Sequence, residues 1–466
     1  MTIPKILHQL WIGPKPAPTN LMDTWREKNP DFEYMRWNED LIKEKQLNLT
    51  CVKRINDMEE INGQADIIRW EILYEYGGFF QDADSICIES IDNNLMSLPC
   101  FAGWENEQVR QGLIATGTMG FPPKHPLVKA AIEWIQNNDI NVRRTGARAW
   151  KTVGPGLLTR MYNTGNFPDL KVLPSYFFLP IHCTGLEYNR HGKIYAYQEW
   201  GSTKQNYDTM NNITLPEQFL PSQDKVSILI SSLDTKAAYI KACLESIKDQ
   251  VGNFMMEVIW INDGSNEMNT TLLKRMLKNF EHNTRFTTVI YHENDGNKGI
   301  GYTLNLGINL CNNEIIIKMD SDDIMVPDRI IKQLEFMKNN EHVAICGGQI
   351  QMFNGDKVIQ TTHHPPITWN SYIQKRSHWF INHPTVCYRK SKVLEAGNYN
   401  KELKQMAEDF ELELRMLKTH KYIHNLPDTL LYYRLHDEQV TYNGGKQGRR
   451  YWDKVRNDII DNLINN

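Results

Sequence analysis

The chain has no apolar run long enough to cross a bilayer, which takes about 20 consecutive apolar residues, so no membrane span is expected. Its opening, MTIPKILHQLWIG, carries one lysine and a short apolar stretch broken by His8 and Gln9, the pattern expected of neither a signal peptide nor a membrane span. Cysteine is sparse: eight residues among 466, with no Cys-x-x-Cys pair. That spacing argues against a disulfide framework or a thiolate zinc site and for reduced thiols in a cytoplasmic-type compartment. Basic charge is not in excess either. The formal net charge is -4, so a nucleic-acid partner is not expected. Internal repeats and low-complexity tracts are also missing, which sets aside solenoids and disordered arrays.

What remains is an ordinary globular composition, 41% apolar and 23% charged, in a chain too long for one hydrophobic core. Domains usually run about 100–200 residues, so two are expected. The polar stretch TKQNYDTMNNITLPEQFLPSQD, with two prolines and little periodicity, is the expected linker at 204–224. Before it, GQADIIRWEILYEYGG has apolar residues at helical spacing and a Gly-Gly stop. After it, KVSILISSL, YIKACLESIKDQ and MEVIWINDGS read as strand, helix, strand, a βαβ unit that predicts an α/β fold with a largely parallel sheet. The tail from 441 to 466 reads as a terminal helix.

Two acidic clusters carry the chemistry. Asp82-Ala83-Asp84 follows YGGFFQ, and Asp320-Ser321-Asp322-Asp323 follows EIIIKM, each closing an apolar run that reads as a buried strand. Carboxylates at i and i+2 share a strand face and can converge on one hard divalent cation, whose shell the diphosphate of an activated sugar can complete. Such a cation offsets the charge that grows on a leaving diphosphate. Open α/β sheets bind ligands at the carboxyl ends of their strands, and Asp263 and Asp320 both close strands there. Asp66 and Arg69 are three apart on one side of the first helix. They read either as sugar-binding groups or as an exposed ion pair worth about 0.3–0.5 kcal/mol. Asn305 is expected to open the helix after the Gly299-x-Gly301 turn, whose glycines admit close backbone approach.

IPKILHQLWIG, NPDFEYMRWNED, ADIIRWEILYEYGGFFQDAD and VGPGLLTRMY resemble, in order, the DXD-sugar glycosyltransferases related to initiation mannosyltransferases, capsular glycan transferases and clostridial glucosylating toxins. The resemblance covers residues 1–203 and implies a GT-A fold, retaining transfer and a Mn²⁺ or Mg²⁺ requirement. It places Trp11 against the nucleotide base, Asp66 and Arg69 on the donor sugar, Asp82 on ribose and sugar, and Asp84 on the metal. At the closing motif, Trp200 and Ser202 match the family, while Gln198 and Thr203 replace a histidine and a tryptophan.

From 225 to 440, VSILISSL, EVIWINDGS, NKGIGYTLNLGINLCNNEIIIKMDSDD and PDRI resemble family 2 glycosyltransferases, which are inverting and again GT-A. The fold class implied is therefore α/β, two GT-A domains in tandem. By this resemblance Asp263 contacts the base, Asp320 the ribose, and Asp322 the metal. Arg434 and His436 approach the diphosphate, His436 within reach of the metal. Asp409, with its neighbour Glu408, is the catalytic base that an inverting attack requires. The expected partners are nucleotide-sugar donors, UDP-sugars first and GDP-mannose second, and a glycan, glycolipid or glycoprotein acceptor. The expected location is cytoplasmic, with peripheral membrane contact if the acceptor rides a lipid. Two alternatives stay open: a degenerate, glycan-binding first domain, and an aspartyl-nucleophile phosphatase, which also places Asp-x-Asp after a strand.

Overall fold

The computed structural model describes residues 2–403, 407–437 and 445–465. The chain divides into two compact units, Met1–Tyr188 with Ile194–Leu220, and Asn189–Lys193 with Pro221–Asn466. No helix among the described residues is long and apolar enough to cross a membrane. The segment expected as a linker is folded as far as Leu220: it carries the short 3-10 turns Tyr207–Asn212 and Glu217–Phe219, and Met210 and Phe219 are buried. Of the expected tail, Gly445–Asn465 is one helix, and residues 441–444 lie outside the described residues.

In the first unit six strands lie in the order Glu33–Trp37, Ile6–Leu10, Gly78–Gln81, Arg110–Phe121, Cys100–Asn106, Leu170–Leu173. The first three are parallel, and Arg110–Phe121 runs antiparallel to both its neighbours. The helix Ile61–Tyr76 covers the sheet and buries nearly every side from Asp66 to Leu73, Trp70 anchoring it by donating to the Val153 carbonyl at 2.8 Å. A helix apolar on so many sides is held by core packing rather than by intrinsic propensity. It stops at Gly77, where φ is +63°, and the next residue, Gly78, has φ +97°. A Cβ at Gly78 would stand 2.6 Å from the Ile6 carbonyl, so only glycine lets the chain turn from helix into strand here.

In the second unit the parallel core is Thr287–Glu293, Met255–Asn262, Lys225–Ser232 and Ile315–Asp320. Beyond it the sheet turns mixed, through Cys387–Arg389, Ile345–Asn354, Tyr422–Arg434 and Ile324–Met325. The register pairs Asn262 with Ser232 and Asp320 with Ser231, which sets Asp263 and Asp320 at the same end of the parallel strands. The helix that follows the glycine turn is Ile300–Leu310, capped by Gly299 at φ +92°. Asn305 therefore lies in its middle rather than at its start, and donates to the Tyr399 carbonyl at 2.6 Å. The turn had already been made by Gly299, so a capping side chain was not needed. At Gly301 a Cβ would stand 2.4 Å from the Leu403 carbonyl, so its small size serves packing of the helix on that loop.

His8 ties three elements of the first unit together. Its Nδ1 accepts from Trp37 Nε1 at 3.0 Å and its Nε2 donates to the Gly77 carbonyl at 2.8 Å. Burial lowers its pKa to about 4, with the Gly77 bond opposing. The unfolded ring titrates near 6.5, so between pH 6.5 and 4 the unfolded state binds more protons, and stability falls as pH drops through that window. The loss amounts to about 3 kcal/mol. Urea denaturation of His8→Asn at pH 7 and pH 4.5 is expected to show a shallower pH dependence than the parent; an identical slope would remove His8 as the source.

Candidate active sites in the two units

In the first unit the helix Ile61–Tyr76 carries Asp66 and Arg69 inward, 9% and 7% exposed, so they are not a solvent-facing pair. Arg69 reaches three acceptors: its guanidinium donates to the Thr116 carbonyl at 2.5 Å and to Asp82 Oδ1 at 2.5 Å, and lies 3.1 Å from Asp66 Oδ1. Its face rests on Phe80, 4.7 Å from the ring centroid. Burial raises the Asp66 pKa to about 6, Arg69 pulling against it. Asp84 is also raised to about 6, by burial and then by the charge of Asp82.

The strand pair Ser85–Cys87 with Ala196–Gln198 brings the closing segment onto Asp84. Gln198 Nε2 donates to its Oδ1 at 2.5 Å and the Gly201 amide to its Oδ2 at 2.8 Å. Glycines line these carboxylates: a Cβ at Gly154 would stand 2.4 Å from Asp66 Oδ2, and one at Gly117 2.7 Å from Asp82 Oδ2. Trp200 occupies the left-handed region, φ +63° and ψ +43°, a conformation that costs a bulky residue about 1–3 kcal/mol. It turns its Nε1 onto the Ile181 carbonyl at 2.9 Å, its ring meeting His182 edge-on. Ser202 is exposed and bonds Tyr207. Trp11 donates to the Lys15 carbonyl at 2.8 Å and meets Tyr207 edge-on at 5.6 Å. Tyr207 also feels the charge of Asp84, which with burial holds its pKa up at about 12.

In the second unit the acidic cluster surrounds one lysine. Lys318, 1% exposed, pairs with Asp320 and feels the charges of Asp323, Asp322, Glu408 and Asp409, while burial lowers its pKa to about 8. Asp322 Oδ2 lies 2.8 Å from His436 Nε2. Arg434 donates from its backbone to Asp323 Oδ1 and from Nε to the Asp322 carbonyl, both at 2.8 Å. Its guanidinium lies over the rings of Tyr239 and Phe353, 4.5 and 4.8 Å from their centroids. Glu408 and Asp409 open the helix Glu408–His420 after Ala407, itself left-handed at φ +57°. Burial, then Asp409, raises the Glu408 pKa to about 8. Asp263 is taken up by the glycine turn, accepting from Asn294 Nδ2 at 2.7 Å and from the amides of Lys298 and Gly299 at 2.9 and 3.0 Å.

Sequence reasoning missed Tyr207, Tyr239, Phe353 and Lys318. Only Lys318 left a signal, a cation inside the apolar run EIIIKM.

Both clusters fit a hard divalent cation. In the first, the charge of part-exposed Asp82 bears on buried Asp84; in the second, Asp322 and His436 offer an oxygen and a nitrogen, and Asp323 Oδ2 is buried without a hydrogen-bond partner among the described residues. A third group, Cys100, His125 and Asp169, also has its donor atoms within 4.8 Å of one another. There, His125 Nδ1 accepts from the Leu127 amide, so Nε2 carries the proton that Asp169 accepts at 3.0 Å, and burial pushes the Cys100 thiol up to about 12. These bonds account for the group as structure.

Arg69 pairs with buried Asp66 and with part-exposed Asp82, and losing one partner of a buried pair costs about 3–5 kcal/mol. Urea denaturation of Arg69→Ala is expected to show a loss of that order at pH 7, smaller near pH 5, where Asp66 takes up a proton. A loss under about 1 kcal/mol would make the pair a surface feature.

Residues 18–102 match the model described as the glycosyltransferase sugar-binding region containing the DXD motif, and residues 227–395 match glycosyl transferase family 2. An uncharacterized glycosyltransferase of Haemophilus influenzae is 30% identical over 234 residues, 49% of this chain and 83% of its own. The amylovoran biosynthesis glycosyltransferase AmsE of Erwinia amylovora is 28% identical over 50% of this chain and 82% of its own. The Escherichia coli UDP-Gal:alpha-D-GlcNAc-diphosphoundecaprenol beta-1,3-galactosyltransferase is 29% identical over 41% of this chain and 66% of its own. With carboxylates gathered at strand ends in both units, this chain belongs to the glycosyltransferases, joining a DXD-containing sugar-binding region to a family 2 region.

Proposed function

We propose that the chain is a bifunctional, metal-dependent glycosyltransferase with a retaining site in its first unit and an inverting site in its second, building a glycan from nucleotide sugars. The observation that carries this reading is the recurrence, in each unit, of an Asp-x-Asp pair at a strand end with one buried cation beside it. UDP-sugars are the proposed donors, in keeping with the printed name of the E. coli relative, and GDP-mannose is the second choice.

Asp84 in the first unit, and Asp322 with His436 in the second, would hold Mn²⁺ or Mg²⁺, which when bound offsets charge on the departing diphosphate. Asp66 and Arg69 orient the donor sugar, Arg69 through its fixed fork. In the second unit Asp409 takes the acceptor hydroxyl's proton as that oxygen attacks the anomeric carbon and the bond to the diphosphate breaks. Glu408, protonated up to about pH 8, keeps a second full charge from crowding Asp409. In the first unit no side-chain base is needed if the leaving phosphate accepts the proton on the same face.

One observation favours a second reading of the first unit, as a glycan-binding module: both oxygens of Asp84 are engaged by its own chain.

Nucleotide release from a panel of UDP-sugars and GDP-mannose, with and without Mn²⁺, separates the two. Asp84→Asn and Asp322→Asn are each expected to cut release at their own site by about 10²–10³-fold. Asp409→Asn should abolish transfer while leaving donor affinity within about threefold, its role being proton removal. Full activity in both Asp84→Asn and Asp322→Asn would exclude metal-assisted transfer; loss confined to Asp322→Asn would leave the glycan-binding reading.

A further inference from the structure

The large aromatics of the first unit are mostly buried, Trp25, Trp37 and Trp70 completely so, but Trp150 is 36% exposed. A single exposed apolar side chain needs no explanation by itself. Its position does. Trp150 stands on the short helix Ala149–Thr152, just before the Gly154 that presses on Asp66. The point where a Gly154 Cβ would lie is 2.4 Å from Asp66 Oδ2 and 3.4 Å from Trp150 Cα. The indole is thus rooted at the wall of the carboxylate cluster while its ring reaches solvent.

Two cations flank that ring. Arg110 Cζ is 5.4 Å and Lys151 Nζ 5.2 Å from its centroid. Arg110 shares its charge with Glu105 at 3.3 Å and stays 42% exposed. It begins the strand Arg110–Phe121, whose Thr116 carbonyl holds Arg69. One strand therefore carries both Arg110, beside the indole, and Thr116, which holds Arg69. A flat indole face offers the C–H groups of a sugar ring an apolar surface, and an exposed guanidinium fork beside it matches the oxygens of a phosphate.

We propose that Trp150, Arg110 and Lys151 form the acceptor platform of the first unit and take a saccharide that carries a phosphate ester. The sugar ring lies on the indole and the phosphate on the Arg110 fork, with the hydroxyl to be glycosylated turned toward Asp66. This rests on the donor reading of Asp66, Asp82 and Asp84.

The test uses the full chain with UDP and Mn²⁺ at saturation, so that nucleotide sites are filled, and glucose 1-phosphate as the probe, followed by saturation-transfer NMR. UDP affinity is measured first, by calorimetry, in the parent and in Asp84→Asn. A parent chain without an Asp84-dependent UDP site would sink the donor reading, whatever the probe does. With that site present, the probe is expected to bind. Trp150→Ala should abolish its signal, and Arg110→Gln should weaken binding about tenfold, as loss of a charge-assisted pair does. Methyl glucoside and inorganic phosphate should each bind at least about tenfold more weakly than glucose 1-phosphate, because each keeps only half of the contacts. UDP affinity should be the same in both variants. The proposal is overturned if either variant binds the probe as the parent does, if methyl glucoside binds equally well, or if Trp150→Ala loses UDP binding together with the probe.

Discussion

A carboxylate taken out of water is tolerable only beside a cation or with its proton kept, and each unit of this chain is arranged around that constraint. In the first, one guanidinium spans Asp66, Asp82 and a backbone carbonyl. In the second, one ammonium sits among Asp320, Asp322, Asp323, Glu408 and Asp409. The choice of cation follows from geometry. Arg69 must point donors in fixed, divergent directions, which a planar fork does; Lys318 must act on a shell of charges around it, which a compact point charge does.

The sheets supply the placement. Successive parallel strands end together, so residues far apart in sequence meet at one edge: Asp320 lies level with Ser231, and Asn262 with Ser232. Glycine then sets how close the elements come. Gly117 and Gly154 belong to a strand and a helix start that have no chemistry of their own, yet a methyl at either would strike Asp82 or Asp66. Such residues are part of the site because of what they leave out.

Much of this was legible in the sequence because it is local. The Asp-x-Asp pairs, the strands before them and the helix that stops at Gly77 are each written within about 20 consecutive residues. What escaped depends on contacts distant in sequence. Arg434 lies over Tyr239, and Asp84 binds Gln198, pairings no spacing rule foresees. Asn305 was misplaced for a local reason: Gly299 ends the turn six residues earlier and caps the helix without a side chain. Asp263 shows a subtler limit. Its place at a strand end was plain, but its carboxylate holds the turn that follows, so position alone did not fix its bonding.

The departure at Gln198 can be weighed in the same electrostatic terms. An amide and a backbone N–H satisfy the oxygens of Asp84 but add no charge, and among the described residues Arg69 is the cation paired with Asp66 and Asp82, so three ionised carboxylates would share one positive charge. The cluster is then short of positive charge by about the amount a divalent ion brings. Protons are the other remedy: burial, and then the charge of Asp82 on Asp84, raises the pKa of Asp66 and Asp84 to about 6. Near neutral pH that remedy weakens and the demand for a cation grows. Replacing a histidine by Gln198 removes a group that could carry charge. Under the proposed metal-dependent reading, that substitution would leave a bound cation as the remaining source of positive charge beside Asp84.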